Sequence, residues 1–120
     1  MAGEHKKLTL SVEVQGPPDS ASHASALAFL GAWLDAGHRV YRVFFYHDAV
    51  LAAAEERSRW STLSGRHGFE LAVCVGAAER RGVGGNADSR YPVAPPFEIV
   101  GLGQLIDAIA RSDRFITFAP

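Results

Sequence analysis

Phe69-Glu70-Leu71-Ala72-Val73-Cys74-Val75, followed by Gly76 and then Ala77-Ala78-Glu79-Arg80-Arg81-Gly82, is the stretch that decides how this chain folds. Its first seven residues are apolar almost throughout, the pattern of a strand covered on both faces. Residues 77–81 read as a short helix closed by Gly82. A strand that passes through a turn into a helix start aims backbone N–H groups and the positive end of a helix dipole at that turn. Cys74, the only cysteine, stands there, and such surroundings favour an anionic sulfur. A lone cysteine in an apolar strand is otherwise a small buried hydrophobe, so the rest of the sequence must decide between the two.

Outward from this stretch, strand and helix patterns alternate. Residues 8–14 alternate apolar and polar, a first strand with one better-covered face. Gln15-Gly16-Pro17-Pro18-Asp19 is a turn, and Asp19 or Ser20 can cap a helix over residues 21–36 that buries Leu27, Leu30 and Leu34 and stops at Gly37. Residues 39–46 are aromatic and β-branched, a second strand. Asp48 is expected to cap one helix over residues 49–64, with Val50, Ala53, Ala54, Trp60 and Leu63 inward, Glu55 and Arg59 paired, and Gly65 as its stop. Residues 82–96 are rich in Gly and Pro, an irregular segment of the kind that carries function or moves. Residues 97–100 read as a short strand, 102–111 as a helix burying Leu102, Leu105, Ile106 and Ile109, and 114–118 as a closing strand. The alternation predicts a three-layer α/β/α domain with a mainly parallel five-stranded sheet, Rossmann-like in plan. One domain is expected over residues 8–120, after a flexible extension over residues 1–7, with no repeat and no linker.

Composition narrows the chemistry. A chain of 120 residues with 21% charged residues and a formal net charge of -1 has no basic excess for nucleic acid or a membrane surface. Lys6 and Lys7 are the only lysines. One cysteine forms no internal disulfide, and no run reaches the ~20 apolar residues of a membrane span. The start of the chain leads into an alternating segment rather than an apolar signal core. A cytoplasmic protein is expected.

In an open parallel sheet, ligands bind beyond the carboxyl ends of the strands. Those ends offer Gln15-Gly16-Pro17-Pro18, Tyr46-His47-Asp48 and Cys74-Val75-Gly76. No G-x-G-x-x-G follows the first strand, no Gly-Lys-Ser/Thr marks a P-loop, and no G-x-S-x-G marks a serine hydrolase. His5, His23, His38, His47 and His67 are scattered, without metal-ligand spacing beside Cys74. Thiol chemistry remains, with His47 and Asp48 as neighbours. No cofactor is expected.

Four blocks in order resemble the DsrE/TusD sulfur-relay family: Val43-Phe44-Phe45-Tyr46-His47-Asp48-Ala49-Val50, Val73-Cys74-Val75-Gly76-Ala77-Ala78-Glu79-Arg80-Arg81-Gly82, Gly101-Leu102-Gly103-Gln104-Leu105, and Asp113-Arg114. Gly16-Pro17 also falls at a family position. The resemblance implies a small DsrEFH-like α/β subunit in which Cys74 carries a persulfide, supported by His47, Asp48, Arg80 and Arg81. It also implies paralogous DsrE/F/H- or TusB/C/D-like subunits in a homo- or hetero-oligomer, a trimer or hexamer. The partner it implies is a small carrier of the DsrC/TusE type, and the pathway tRNA thiouridine formation or dissimilatory sulfur oxidation. No direct nucleic-acid or membrane contact is implied. The chain departs from the family in shorter segments after Val50 and after Gly82, and in Gly76 where alanine is usual. Two other readings stand beside the relay: a non-catalytic scaffold subunit, and a module that binds a small anion or nucleotide over the strand ends.

Overall fold

The computed structural model describes residues 6–120; residues 1–5, which hold His5 and most of the expected extension, lie outside the described residues. Five parallel strands form the sheet: β1 (Thr9–Val14), β2 (Arg39–Phe45), β3 (Glu70–Cys74), β6 (Glu98–Val100) and β7 (Arg114–Phe118), in the order β6-β3-β2-β1-β7. Two further short segments, β4 (Val83–Gly84) and β5 (Tyr91–Pro92), pair with each other inside the Gly/Pro-rich segment. The α/β plan agrees with the sequence expectation.

β1 is followed by α1 (Ala21–Asp35). Ser20 is its N-cap, its hydroxyl accepting from the His23 amide, and Gly37, at φ +91°, takes the left-handed turn after it. Beyond β2, the single helix expected over residues 49–64 is two elements. A 3₁₀ helix spans His47–Ala54, and α2 spans Arg59–His67 with Ser58 as N-cap. The polar run Glu55-Glu56-Arg57 is exposed, so nothing apolar holds it to the core. The Ser58 hydroxyl offers the backbone a fresh helix start. Glu55 therefore lies just past the 3₁₀ helix while Arg59 opens α2, and no ion pair between them is formed among the described residues. Gly65 lies within α2, and Gly68 at φ +76° ends it. Asp48 is not a cap either: Tyr46 holds that position, and Asp48 lies in the first turn.

The connections place the helices on both sides of the sheet. α1 and α2 cover one face, where Phe45 meets the rings of His23 and Trp60. α4 (Gly103–Arg111) covers the other alone, packing on β1, β2 and β7. Strand alternation puts Val43 and Phe45 on the α1/α2 face and Arg42, Phe44 and Tyr46 on the α4 face. The apolar core is concentrated on the first of these, with Leu30, Val43, Phe45 and Trp60 at most 2% exposed.

On the α4 face an ionic cluster replaces the expected apolar contact. Arg42, only 4% exposed, bonds Asp107 at 2.9 Å, Glu70 at 3.0 Å and the Gln104 carbonyl at 2.8 Å. Asp107 also receives the Tyr41 hydroxyl and the Arg111 guanidinium, each at 2.7 Å. Those hydrogen bonds from Tyr41, Arg111 and Arg42 hold its carboxyl well below the usual carboxylate range. Asp107 must face Arg42, and this fixes the rotation of α4. Leu102, Ile106 and Ile109, expected to be buried, consequently turn outward with exposures of 50%, 68% and 48%. Ala108 is the residue of α4 that the sheet buries.

Candidate functional site

Cys74 ends β3, and α3 (Val75–Arg80) starts at the next residue. The turn expected at Gly76 does not exist; Gly76 is already helical, and Cys74 itself is the N-cap residue. Gly82, at φ +75°, turns the chain after α3. The thiol is 4% exposed, and its sulfur makes no hydrogen bond among the described residues. It is therefore a lone, nearly enclosed sulfur at the carboxyl end of an inner strand, where open parallel sheets bind ligands.

Register shows which face the sulfur joins. Phe45 pairs with Val73 and Cys74 with Val100, while Val14 pairs with Phe45. One step further along, Gln15, Tyr46, Cys74 and Val100 form a single row across four strands. Glu70, two alternations before Cys74, is bonded to Arg42 on the α4 face, so Cys74 and Tyr46 project to that face too. One row back on the same face lie Thr117, Glu13, Phe44, Ala72 and Glu98.

The residues expected to support the sulfur occupy a second group. Asp48 accepts the Arg81 Nε–H at 2.7 Å, and Arg81 also bonds the Ala77 carbonyl at 3.1 Å. The pair ties the 3₁₀ helix to the end of α3. His47 adjoins it, stacked on Tyr46 with ring centroids 4.2 Å apart. Among the described residues His47 is the one non-glycine with positive φ, at +50°, a conformation that costs about 1–2 kcal/mol. Arg80 is exposed on α3 with no ion pair among the described residues. The structure thus joins Asp48 to Arg81 and seats His47 against Tyr46, while none of these four side chains bonds the sulfur.

Three residues on the thiol's own face were not singled out as site residues in the sequence. Tyr46 is the ring between Cys74 and Gln15, and its hydroxyl has no partner among the described residues. Gln15 donates its amide to Glu13 at 2.9 Å. Glu13 is 8% exposed, and its other oxygen accepts the Thr117 hydroxyl at 3.3 Å. Glu13 sits at a polar position of an alternating strand; that it faces the thiol's side depends on pairing with β2 and β7, for which the local sequence holds no signal.

Behind the site, on the α1/α2 face, a buried histidine locks the first strand's turn. The Trp60 indole N–H can only donate, and it donates to His23 Nε2 at 2.8 Å. Nδ1 therefore carries the proton and donates to the Gly16 carbonyl at 2.9 Å. The hydroxyls of Ser20 and Ser22 crowd the place where a Cβ on Gly16 would stand, so a side chain there would push the Ser20 hydroxyl off the α1 cap. The Ala49 amide then bonds the Gln15 carbonyl at 3.3 Å, coupling the turn to the 3₁₀ helix that begins at His47.

Residues 10–118 match the model of the DsrE/DsrF-like family. The chain is 35% identical to a DsrE protein of Allochromatium vinosum, the alignment covering 87% of this chain and 92% of that one. It is 39% identical to sulfurtransferase TusD of Serratia proteamaculans over 88% of this chain and 95% of that one. It is 33% identical to a sulfurtransferase TusD homolog of Pseudomonas aeruginosa, with 92% and 97% covered. Among solved structures, the ychN protein of E. coli superposes with a TM-score of 0.73 over 94% of this chain and 100% of that one; at 20% identity this likeness shows the fold.

Proposed function

This chain belongs to the DsrE/DsrF-like family and is a sulfurtransferase of the sulfur-relay kind, and from that premise we propose that Cys74 is the atom-carrying residue. The observation that supports it is position: the chain's one sulfhydryl ends an inner parallel strand and opens a helix.

In the step we assign to it, the Cys74 thiolate attacks the outer sulfur of a donor persulfide, R–S–S–H. A new S–S bond forms on Cys74, the R–S to S bond breaks, and the donor leaves as R–S⁻. Onward transfer is the same exchange in reverse order. An acceptor thiolate takes the outer sulfur, and Cys74 returns as thiolate, so no net oxidation or reduction occurs. The helix that starts at Val75 opens directly at the sulfur. Asp48–Arg81 and the Tyr46–His47 stack shape the strand ends around it, and Arg80 is free to meet an anionic group on a docked partner.

The relay partners belong to the same reading: paralogous subunits in a trimer or hexamer and a small cysteine-bearing carrier, all in the cytoplasm. Among the described residues no helix is long and apolar enough to cross a membrane. The test is intact-mass spectrometry after incubation with cysteine persulfide. Wild type should gain one sulfur, and Cys74→Ser should gain none. Labelling that survives in the serine variant, or never occurs in wild type, removes the carrier role and leaves a scaffold subunit.

A further inference from the structure

Glu13 is the most buried carboxylate on the α4 face, and among the described residues it pairs with no cation. It is 8% exposed on the inner strand β1, and among the described residues its oxygens receive only two neutral donors, Gln15 and Thr117. A carboxylate offers about four acceptor sites, and a buried one without a countercharge is costly unless something pairs with it. The nearby cations are already engaged: Arg42 with Glu70 and Asp107, Arg111 with Asp107, Arg81 with Asp48.

Its place relative to the thiol is set by the sheet. β1 and β3 are separated by β2 alone, so two strand spacings of about 4.8 Å lie between Glu13's strand and that of Cys74. Glu13 stands one row back on the same face. Tyr46 lies between them, with Gln15 at the far end of the row. An extended peptide rises about 3.3 Å per residue, so three residues span the two strand spacings, and the length of a Lys or Arg side chain covers the remaining row.

We propose that Glu13, with Gln15, is the recognition subsite for a basic side chain on the peptide that brings a cysteine to Cys74. That side chain is Lys or Arg, about three residues from the peptide's cysteine, and the peptide crosses Tyr46 in extended form. Pairing with Glu13 supplies the missing countercharge and fixes which sulfur faces Cys74. The proposal rests on Cys74 being the reacting thiol.

The experiment uses the whole chain and synthetic eight-residue peptides whose single cysteine is activated as a mixed disulfide with thionitrobenzoate. The Cys74 thiolate attacks the peptide sulfur, the peptide–Cys74 disulfide forms, and coloured thionitrobenzoate leaves. Since Cys74 is the only cysteine, its release reports this reaction alone. Peptides carry Lys or the neutral norleucine at one, two, three or four residues from the cysteine. Wild type should react at least fivefold faster with Lys at the third position than with norleucine there, and the advantage should shrink at high salt. In Glu13→Gln the ratio of the Lys rate to the norleucine rate should fall to about one, whatever the absolute rates of the variant. Equal rates for Lys and norleucine in wild type, which need no variant, overturn the proposal; so does a Lys advantage that persists in Glu13→Gln. Cysteine persulfide labelling of wild type, run beside it, reads the carrier role separately. Labelling without any peptide preference sinks the subsite alone, and the absence of both sinks the subsite and the carrier together.

Discussion

The two faces of the sheet are built on different principles. The α1/α2 face is closed by apolar and aromatic packing around Phe45, Trp60 and Leu30, with one polar thread through it, Trp60 to His23 to Gly16. The α4 face is closed by a single nine-residue helix, held in rotation by a buried arginine and its carboxylates. The first face makes the domain stable. The second leaves apolar side chains pointing outward and a buried carboxylate without a cation among the described residues, and it is the face to which Cys74 projects. A small sheet is not sealed on both sides by so few helices, and the unsealed side keeps Leu102, Ile106 and Ile109 on the surface.

The largest effect should come from breaking the sealed side. Trp60→Ala opens a cavity beside Phe45 and strips His23 Nε2 of its donor, and should cost about 3–5 kcal/mol, read by urea denaturation followed by circular dichroism. Trp60→Phe should cost less, about 1–3 kcal/mol, because mainly the hydrogen bond to a buried acceptor is lost. Equal losses for both would mean that the histidine thread contributes nothing.

A smaller effect, and one confined to the α4 face, should appear with acid. Asp107 has its folded value depressed below the ordinary 3.8, so its stabilising contribution is present above about pH 4 and is lost as pH falls below it, where the unfolded chain takes up the proton first. Asp107→Asn should be less stable than wild type at pH 7, and the two should converge as pH is lowered toward 2. A constant gap between the two curves would assign Asp107 no part in the acid limb.

The smallest effect on folding should come from the outward flank of α4. Ile106 is 68% exposed, so Ile106→Ser should change unfolding free energy by no more than about 0.5 kcal/mol. Its effect should show instead in assembly, as a shift toward monomer by light scattering, alone or with paralogous subunits. A variant that loses stability but keeps its assembly state would reverse this assignment of the flank.

The sequence made the sealed side legible and the open side less so, for identifiable reasons. The strand before Cys74, the cap at Ser20 and the stop at Gly37 are local signals, and all three stand in the structure. The break between the 3₁₀ helix and α2 is hidden because the residues on either side of it carry an apolar helical pattern that runs on past the Ser58 cap. α4 misleads through its own regularity. Leu102, Ile106 and Ile109 make a convincing buried stripe until Arg42, a charge inside an apolar strand, demands Asp107 and turns the helix. Cys74 could be read as a thiol at a strand end, but its neighbours in space could not. Gln15, Tyr46 and Val100 meet it only through the register of strands far apart in the chain, and Glu13 was unremarkable in an alternating strand.

On the proposed carrier role, the 4% exposure of Cys74 also decides how such a sulfur would be kept. A sulfane atom on an open thiol drains into every dissolved thiol that collides with it. One held at the end of β3, walled by its row, leaks at a rate set by how seldom that row opens. If Cys74 carries sulfur as proposed, dissolved glutathione would meet that wall, and only a partner that docks first would reach the atom; custody of it, more than speed of exchange, is then what the fold would protect.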